Sequence, residues 1–164
     1  MPKTYEPIAT TTVTTTGNTV TFSSIPSTYT DLILVSSARR GINGSGGDGL
    51  KCQFNGDSAS NYSFSSGIGN GSAASASTST GQTVFIAGSC GDNKYNASIC
   101  HILNYANTST YKTVLTRAND TTDQNVSIGV SLWRSTSAIN SIYINAASAF
   151  WSGTTFTLYG IKAA

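Results

Sequence analysis

Charged side chains are scarce in this sequence. Asp, Glu, Lys and Arg make up 10% of its 164 residues, against about 25% in an ordinary soluble domain. Nine basic and seven acidic residues leave a formal net charge of +2, too small a basic excess to favour nucleic-acid binding. A weakly charged surface also opposes self-association little, which suits a protein that works within an assembly.

Long apolar segments are also missing. No apolar run has the length needed to span a bilayer, so we expect no membrane partner. The opening residues, MPKTYEPIATTT, lack the apolar core of a secretory signal. We therefore expect synthesis in the cytoplasm, with any exit by lysis. The three cysteines, Cys52, Cys90 and Cys100, are odd in number and form no C-x-x-C unit, which predicts free, buried thiols.

Histidine occurs once, at His101, which limits acid–base chemistry. A hydrolase triad would need His101 beside a nucleophile and a carboxylate, for which Ser98 and Asp92 are the nearest in sequence. A core or interface role for His101 is favoured over a catalytic one. The segment Gly88-Ser89-Cys90-Gly91 lacks the G-x-S-x-G pattern and is predicted to be a turn between strands. We therefore predict that the protein is not an enzyme and has no catalytic residues.

Metal and phosphate sites have little support in the sequence. One histidine and three scattered cysteines are a poor zinc set. Two carboxylate pairs, Asp120 with Asp123 and Asp48 with Asp57, are fragments without the regular spacing of a calcium loop. The glycines from Gly44 to Gly49 are followed by no Gly-Lys-Ser/Thr. The sequence therefore predicts no metal site and no cofactor, and it singles out no binding residue.

A two-residue repeat of apolar side chains dominates the chain. Val126, Ile128, Val130 and Leu132 alternate with small polar residues, a pattern typical of a strand with one face on the core. No window shows a helical repeat. Nine segments have the alternating or continuous apolar pattern of strands: 19–25, 31–37, 50–54, 83–87, 98–105, 111–117, 126–132, 142–144 and 155–161. The fold class predicted is an all-β antiparallel jelly roll or β-sandwich of about 8–10 strands, forming a single domain over residues 1–164.

Two segments are predicted to be loops by composition. Residues 41–49 contain five glycines, and residues 67–81 consist almost wholly of Gly, Ser, Ala, Thr and Asn. Residues 1–16 are predicted to form an extended N-terminal arm. Polar, glycine-rich segments can become ordered on contact with a partner, so these three segments are the ones predicted to extend from the domain and contact a partner. Removal of residues 1–10 is then expected to weaken binding to the partner while leaving the fold intact.

The large aromatic side chains allow two interpretations. Trp133 and Trp151, with Tyr62, Tyr105 and Tyr111, would suit stacking on sugar rings in a groove. Large aromatics are equally usual in a sandwich core or a subunit interface. The core or interface interpretation is favoured, and a glycan site stays open.

Several stretches together resemble a known family. They are Tyr5-Glu6-Pro7-Ile8-Ala9-Thr10, Val20-Thr21-Phe22-Ser23-Ser24-Ile25-Pro26, Asn104-Tyr105-Ala106-Asn107, Trp133-Arg134-Ser135-Thr136-Ser137 and Phe156-Thr157-Leu158-Tyr159-Gly160-Ile161. The arrangement covers nearly the whole chain and resembles small virion proteins of tailed bacteriophages, many of them cyanophage-like.

The resemblance implies a function and partners. Members are jelly-roll modules that trimerise, either as capsid cement (decoration) proteins or as modules of head and tail fibres. The chain lacks the heptads or β-helical shaft of a fibre, so it is expected to be a decoration protein on the outer surface of the virion. Its partners would be further copies of itself, as a homotrimer, and the major capsid protein. The alternative is a receptor- or carbohydrate-binding fibre module, with a glycan or host receptor as partner.

Overall fold

The computed structural model describes residues 4–41 and 48–162, and these residues form twelve strands and no helix. The strands are Tyr5–Thr12 (β1), Gly17–Phe22 (β2), Asp31–Ala38 (β3), Asp48–Phe54 (β4), Tyr62–Gly69 (β5), Ala74–Gln82 (β6), Phe85–Cys90 (β7), Asn96–Leu103 (β8), Lys112–Asp120 (β9), Asn125–Trp133 (β10), Ile142–Phe150 (β11) and Thr155–Ile161 (β12). Residues 1–3, 42–47 and 163–164 lie outside the described part of the chain.

The strands form two antiparallel sheets. One has eight strands in the order β1-β12-β3-β8-β9-β10-β5-β6, and the other has four in the order β2-β11-β4-β7. From β2 to β12 the chain crosses repeatedly between the sheets, because β2, β4, β7 and β11 of the small sheet are each followed by strands of the large one. This is the connectivity of a jelly roll, and the predicted all-β sandwich class is confirmed.

The core lies between the two sheets and is rich in aromatic rings. Buried aliphatic side chains such as Leu34 on β3 and Ile144 on β11 belong to the same core cluster. The ring of Phe54 lies 4.7 Å from that of Phe85 and 5.4 Å from that of Trp133, measured between centroids. Aromatic side chains in tilted contact bury much apolar area, so they stabilise this end of the sandwich.

The strand count exceeds the predicted 8–10, because segments predicted to be an arm and a loop are paired strands. β1 lies inside the predicted arm of residues 1–16 and pairs with β12 from Tyr5 opposite Ile161 to Thr12 opposite Thr155. Ile8 packs against the core. Residues 5–12 are therefore an edge strand and not a free arm, and removal of residues 1–10 is expected to expose the edge of β12.

The second difference concerns the predicted loop of residues 67–81. Its first residues end β5, and Ala74–Gln82 forms β6, which pairs with β5 from Gly69 opposite Ala74 to Tyr62 opposite Gln82. Small side chains do not prevent backbone hydrogen bonding between strands, and threonine favours it. The other predicted loop, residues 41–49, falls largely outside the described residues, although Asp48 and Gly49 begin β4.

The three cysteines are buried and form no disulfide with one another, as predicted. Burial raises the pKa of the Cys52 thiol well above its ordinary value, and burial raises that of Cys100 to about 12. Thiols that stay protonated at neutral pH are poor nucleophiles and metal ligands. Cys52 and Cys100 therefore act as small core side chains.

Candidate interaction surface

Strand β10 directs most of its large apolar side chains outward and its small side chains toward the core. Val126, Ile128 and Val130 are 64%, 66% and 49% exposed, whereas Ser127 and Ser131 alternate with them toward the inner side. The prediction that the apolar side chains of this strand face the core was therefore wrong. Trp133 fixes the orientation, because it is buried in the core and successive side chains of a strand point to opposite faces.

The neighbouring strands continue this apolar surface. Val130 lies opposite Leu115 of β9, which lies opposite His101 of β8. Ile128 lies opposite Arg117, which lies opposite Ile99. We call the outward side of the eight-stranded sheet the outer face. Its large apolar side chains include Tyr5, Ile33, Val35, Ile99, Leu103, Leu115, Val126, Ile128, Val130, Leu132, Tyr159 and Ile161.

The outer face is concave and broad. A trough of about 600 Å³ is lined by Ile99, Leu115 and Val130, with Thr78 of β6 on one side. Eight strands spaced about 4.8 Å apart, each about 25 Å long, give a face of about 900 Å². A stable interface buries about 800 Å² on each partner, so the sheet is large enough for one, and its exposed apolar side chains include Ile99, Leu115, Val126, Ile128 and Val130. The outer face therefore has the size and character of an interface.

Few charges interrupt the apolar surface. His101 Nε2 lies 2.9 Å from Asp31 Oδ2, and Asp31 Oδ1 accepts the backbone N–H of Asn104 at 2.6 Å. Arg117 is exposed on the same face. Covering a paired histidine and aspartate costs less desolvation free energy than covering isolated charges. The pair is therefore compatible with burial under a partner.

The three residues considered for a triad are not brought together. Ser98 points to the inner side of the sheet, and its Oγ lies 2.6 Å from that of Ser36. Asp92 lies 3.3 Å from the Arg40 guanidinium, whereas His101 faces outward beside Asp31. A nucleophile and its base must be within hydrogen-bond reach, so these residues do not form a catalytic triad.

The segment Gly88–Gly91 was predicted to be a turn, which was wrong. Gly88, Ser89 and Cys90 are the last residues of β7; Ser89 and Cys90 pair with β4, and Gly88 lies at the irregularity in that pairing. Gly88 adopts a φ of 138°, and a Cβ there would lie 2.5 Å from the side chain of Ser98. Glycine is required because the two sheets approach closely at this point.

The aromatic residues proposed for a sugar groove are mostly internal. Trp133 is 2% exposed, and Tyr62 and Tyr105 are buried. Trp151 and Tyr111 are exposed, but Trp151 follows β11 beside Arg39 at one end of the sandwich and Tyr111 precedes β9 at the other. The five aromatic residues therefore do not line one groove, and the core interpretation holds for three of them.

The suggested calcium fragments serve as turn structure. Asp120 Oδ1 accepts the backbone N–H groups of Thr122 and Asp123 at 2.9 and 3.2 Å, and Asp57 accepts three hydrogen bonds from its own surroundings. The side chain of Asp48 is outside the described part of the structure. Residues 4–41 and 48–162 contain no group of three or more His, Cys, Asp or Glu side chains placed to hold a metal ion. The same residues contain no helix with the length and hydropathy to cross a membrane.

Asp57 holds the Trp133 end of the core in place, and its contribution should depend on pH. Its carboxylate accepts hydrogen bonds from Trp133 Nε1 at 2.7 Å, Asn61 Nδ2 at 2.9 Å and the Ala59 N–H at 2.9 Å. Burial raises the pKa of Asp57, but these hydrogen bonds outweigh it and the net pKa lies below its ordinary value. A depressed folded-state pKa stabilises the fold above the unfolded-state pKa, and the stabilisation is lost as the pH falls through the folded-state pKa.

We therefore expect Asp57→Asn to lower the free energy of unfolding by about 1–2 kcal/mol at pH 7. The loss should shrink as the pH decreases from about 5, where the native protein itself begins to lose the interaction. Urea unfolding at a series of pH values measures both effects. Asp123→Asn, at an exposed position, is the control and should change little. Parallel stability curves for Asp57→Asn and the native protein would contradict this role.

Comparisons of the chain with protein-family models, with curated proteins and with solved structures found no match.

The spacing of its apolar residues alone could not distinguish the outer face from a core face, because both have the same two-residue repeat. A usable signal was the placement of Trp133 in register with Ser127, Gly129 and Ser131. If Trp133 is assigned to the core, the two-residue alternation places Val126, Ile128 and Val130 on the opposite, outward side of the strand.

Proposed function

We propose that this chain is a structural protein of a phage virion and works as a homotrimeric capsid decoration protein. The observation that carries the proposal is the outer face, a broad apolar surface that the described chain leaves exposed. The virion and the trimer come from the resemblance of the sequence to small virion proteins of tailed phages. The structure contributes a surface suited to contact with further copies.

Further copies of the chain are the occupants that the charge distribution favours. The outer face carries Arg117 and the His101–Asp31 pair among many apolar side chains. Covering this face with a neighbouring copy removes apolar area from water at about 25 cal/mol for each Å² and brings few unpaired charges into the contact. A net charge of +2 adds little repulsion between copies. Homo-oligomers with closed symmetry are the usual result of such self-contact.

The major capsid protein would contact the ends and edges that remain outside the trimer. Trp151 is exposed at one end of the sandwich, with the Arg39 guanidinium 4.6 Å from its ring centroid. Tyr111 is exposed at the other end. Tryptophan, tyrosine and arginine are the residues that most often dominate interface energies. Either end would supply anchors for a shell contact.

The copy number of this chain in purified virions tests the proposal. A decoration protein seated at the threefold positions of a closed shell is expected in a number on the order of hundreds, measured by quantitative mass spectrometry against the major capsid protein. A count of a few tens would contradict the decoration role and favour the receptor- or carbohydrate-binding fibre module. Absence of the chain from the particles would overturn both.

A further inference from the structure

A cavity of about 300 Å³ lies on the inner side of the eight-stranded sheet, opposite the outer face. It is formed between β7, the edge strand of the small sheet, and the inner sides of β9, β10 and β5. Its apolar walls include Phe64, Ile68 and Ile86. Ligand pockets begin at about this volume and are mostly apolar with a few polar groups.

The cavity results from the choice of small residues at inward positions. Ser127, Gly129 and Ser131 line it from β10, and Gly49 lines it from β4. A Cβ at Gly49 would lie 3.5 Å from the side chain of Ile86, in ordinary contact. Large side chains would therefore fit at these positions and close the space. Interiors normally contain few voids larger than a water molecule, so a space maintained by several small residues suggests an occupant.

One end of the cavity is closed by a contact between the sheets, and the lining elsewhere includes carboxylates. Thr116 Oγ1 donates to the backbone carbonyl of Ile86 at 3.4 Å, across the two sheets. Asp120 and Asp123 lie on the lining, where Asp120 is nearly buried and Asp123 is exposed.

The charge of the lining has one sign. Among the described residues, no lysine or arginine lines the cavity. Lys94 borders a neighbouring surface depression together with Asp120. Carboxylates beside low-dielectric walls attract cations, so the cavity combines apolar walls with a negative potential.

We propose that this cavity binds a small molecule with an apolar body and an ammonium group. The volume of about 300 Å³ corresponds to about ten water molecules in the liquid, at about 30 Å³ each, and so to about ten non-hydrogen atoms. The apolar body contacts Phe64 and Ile86, and the ammonium group lies near Asp123 and Asp120. Most of the lining lies on the inner side of the sheet, although Ser65 and Ile128 of the outer face also border the cavity. The proposed contacts involve neither of these outer residues, so the site does not rest on the proposed function.

Three probes that share one apolar body test the proposal: phenylbutylamine, phenylbutanol and phenylbutyrate. Titration of the full chain at pH 7, followed by NMR, gives their dissociation constants. We expect the amine to bind with a Kd of about 1 mM or tighter, about tenfold tighter than the alcohol, and the carboxylate to bind more weakly than both. Equal binding of the three probes, or no binding of the amine at 10-fold above this concentration, would overturn the proposal.

Matched variants locate the binding. Ser127→Leu fills the cavity and should abolish binding of the amine, whereas Val130→Ser, on the opposite side of the same strand, should leave it unchanged. Asp123→Asn should bring the affinities for amine and alcohol close to each other. This exposed substitution decides the outcome even if Ser127→Leu fails to fold. Full binding and unchanged amine preference in Asp123→Asn would overturn the assigned role of the carboxylate and, with it, the proposal.

Discussion

Replacing both Ile128 and Val130 by serine is expected to convert the proposed trimer into a monomer at micromolar concentration. Burying an isoleucine or valine side chain contributes about 1.5–3 kcal/mol, and each trimer would contain six substituted positions. The combined loss corresponds to an association constant lower by a factor of at least about 10³. Sedimentation equilibrium of the native protein and the variant, at the same concentrations, measures the change directly.

The fold of the single chain should survive this double substitution. The two side chains are 66% and 49% exposed in the protomer, so serine at these positions removes little core packing. We therefore expect circular dichroism of the variant to match that of the native protein. Unfolding of the variant would contradict the structure, because it would mean that the two side chains belong to the core.

Ile68→Ser provides the matched control. Ile68 is also an exposed isoleucine of the eight-stranded sheet, but it lies opposite Ser127 and so on the inner side. It should leave the trimer intact. If the native protein is a trimer and neither variant dissociates, the contact between copies lies elsewhere than the outer face. If the native protein is itself monomeric at these concentrations, self-association as a whole is refuted.

The alternation along β10 shows how far the sequence could be interpreted. A two-residue repeat identifies the side chains that share a face, so the strand and the sandwich class could be predicted. It does not identify which of the two faces packs on the core. The usual rule assigns the apolar face of a strand to the core. That rule fails here, because the side chains of Ile128 and Val130 are exposed on the outer face. Such a failure is expected where a surface has another use.

Other features escaped prediction for a different reason. β6 has serine, threonine and alanine at nearly every position, and its strand character comes from pairing with β5, which composition does not reveal. The cavity depends on the absence of large side chains at Gly49 of β4 and at Ser127 and Gly129 of β10, two strands that are far apart in sequence. His101 was assigned to the core or an interface, and the structure places it on the outer face. Whether that face is an interface is the subject of the Ile128 and Val130 experiment.

The substitution with the largest expected effect on stability is Trp133→Ala. Trp133 is buried, stacks with Tyr62 at 6.3 Å between centroids, and donates a hydrogen bond to Asp57 at 2.7 Å. Truncating a buried tryptophan to alanine costs about 3–5 kcal/mol. For a domain of this size that corresponds to a melting temperature lower by about 10 °C. Thermal and urea unfolding of the variant measure both quantities.

Trp151→Ala is the control, because Trp151 is 41% exposed and its loss should cost about 0.5 kcal/mol or less. Trp133→Phe should fall between the two, since it keeps an aromatic ring but removes the N–H that Asp57 accepts. Similar small losses for both alanine variants would show that Trp133 is not a core residue. A large loss for Trp133→Ala alone has a further consequence. Reduced glycan binding in that variant would then reflect lost structure, so of the two tryptophans only Trp151 can be used to test a sugar contact.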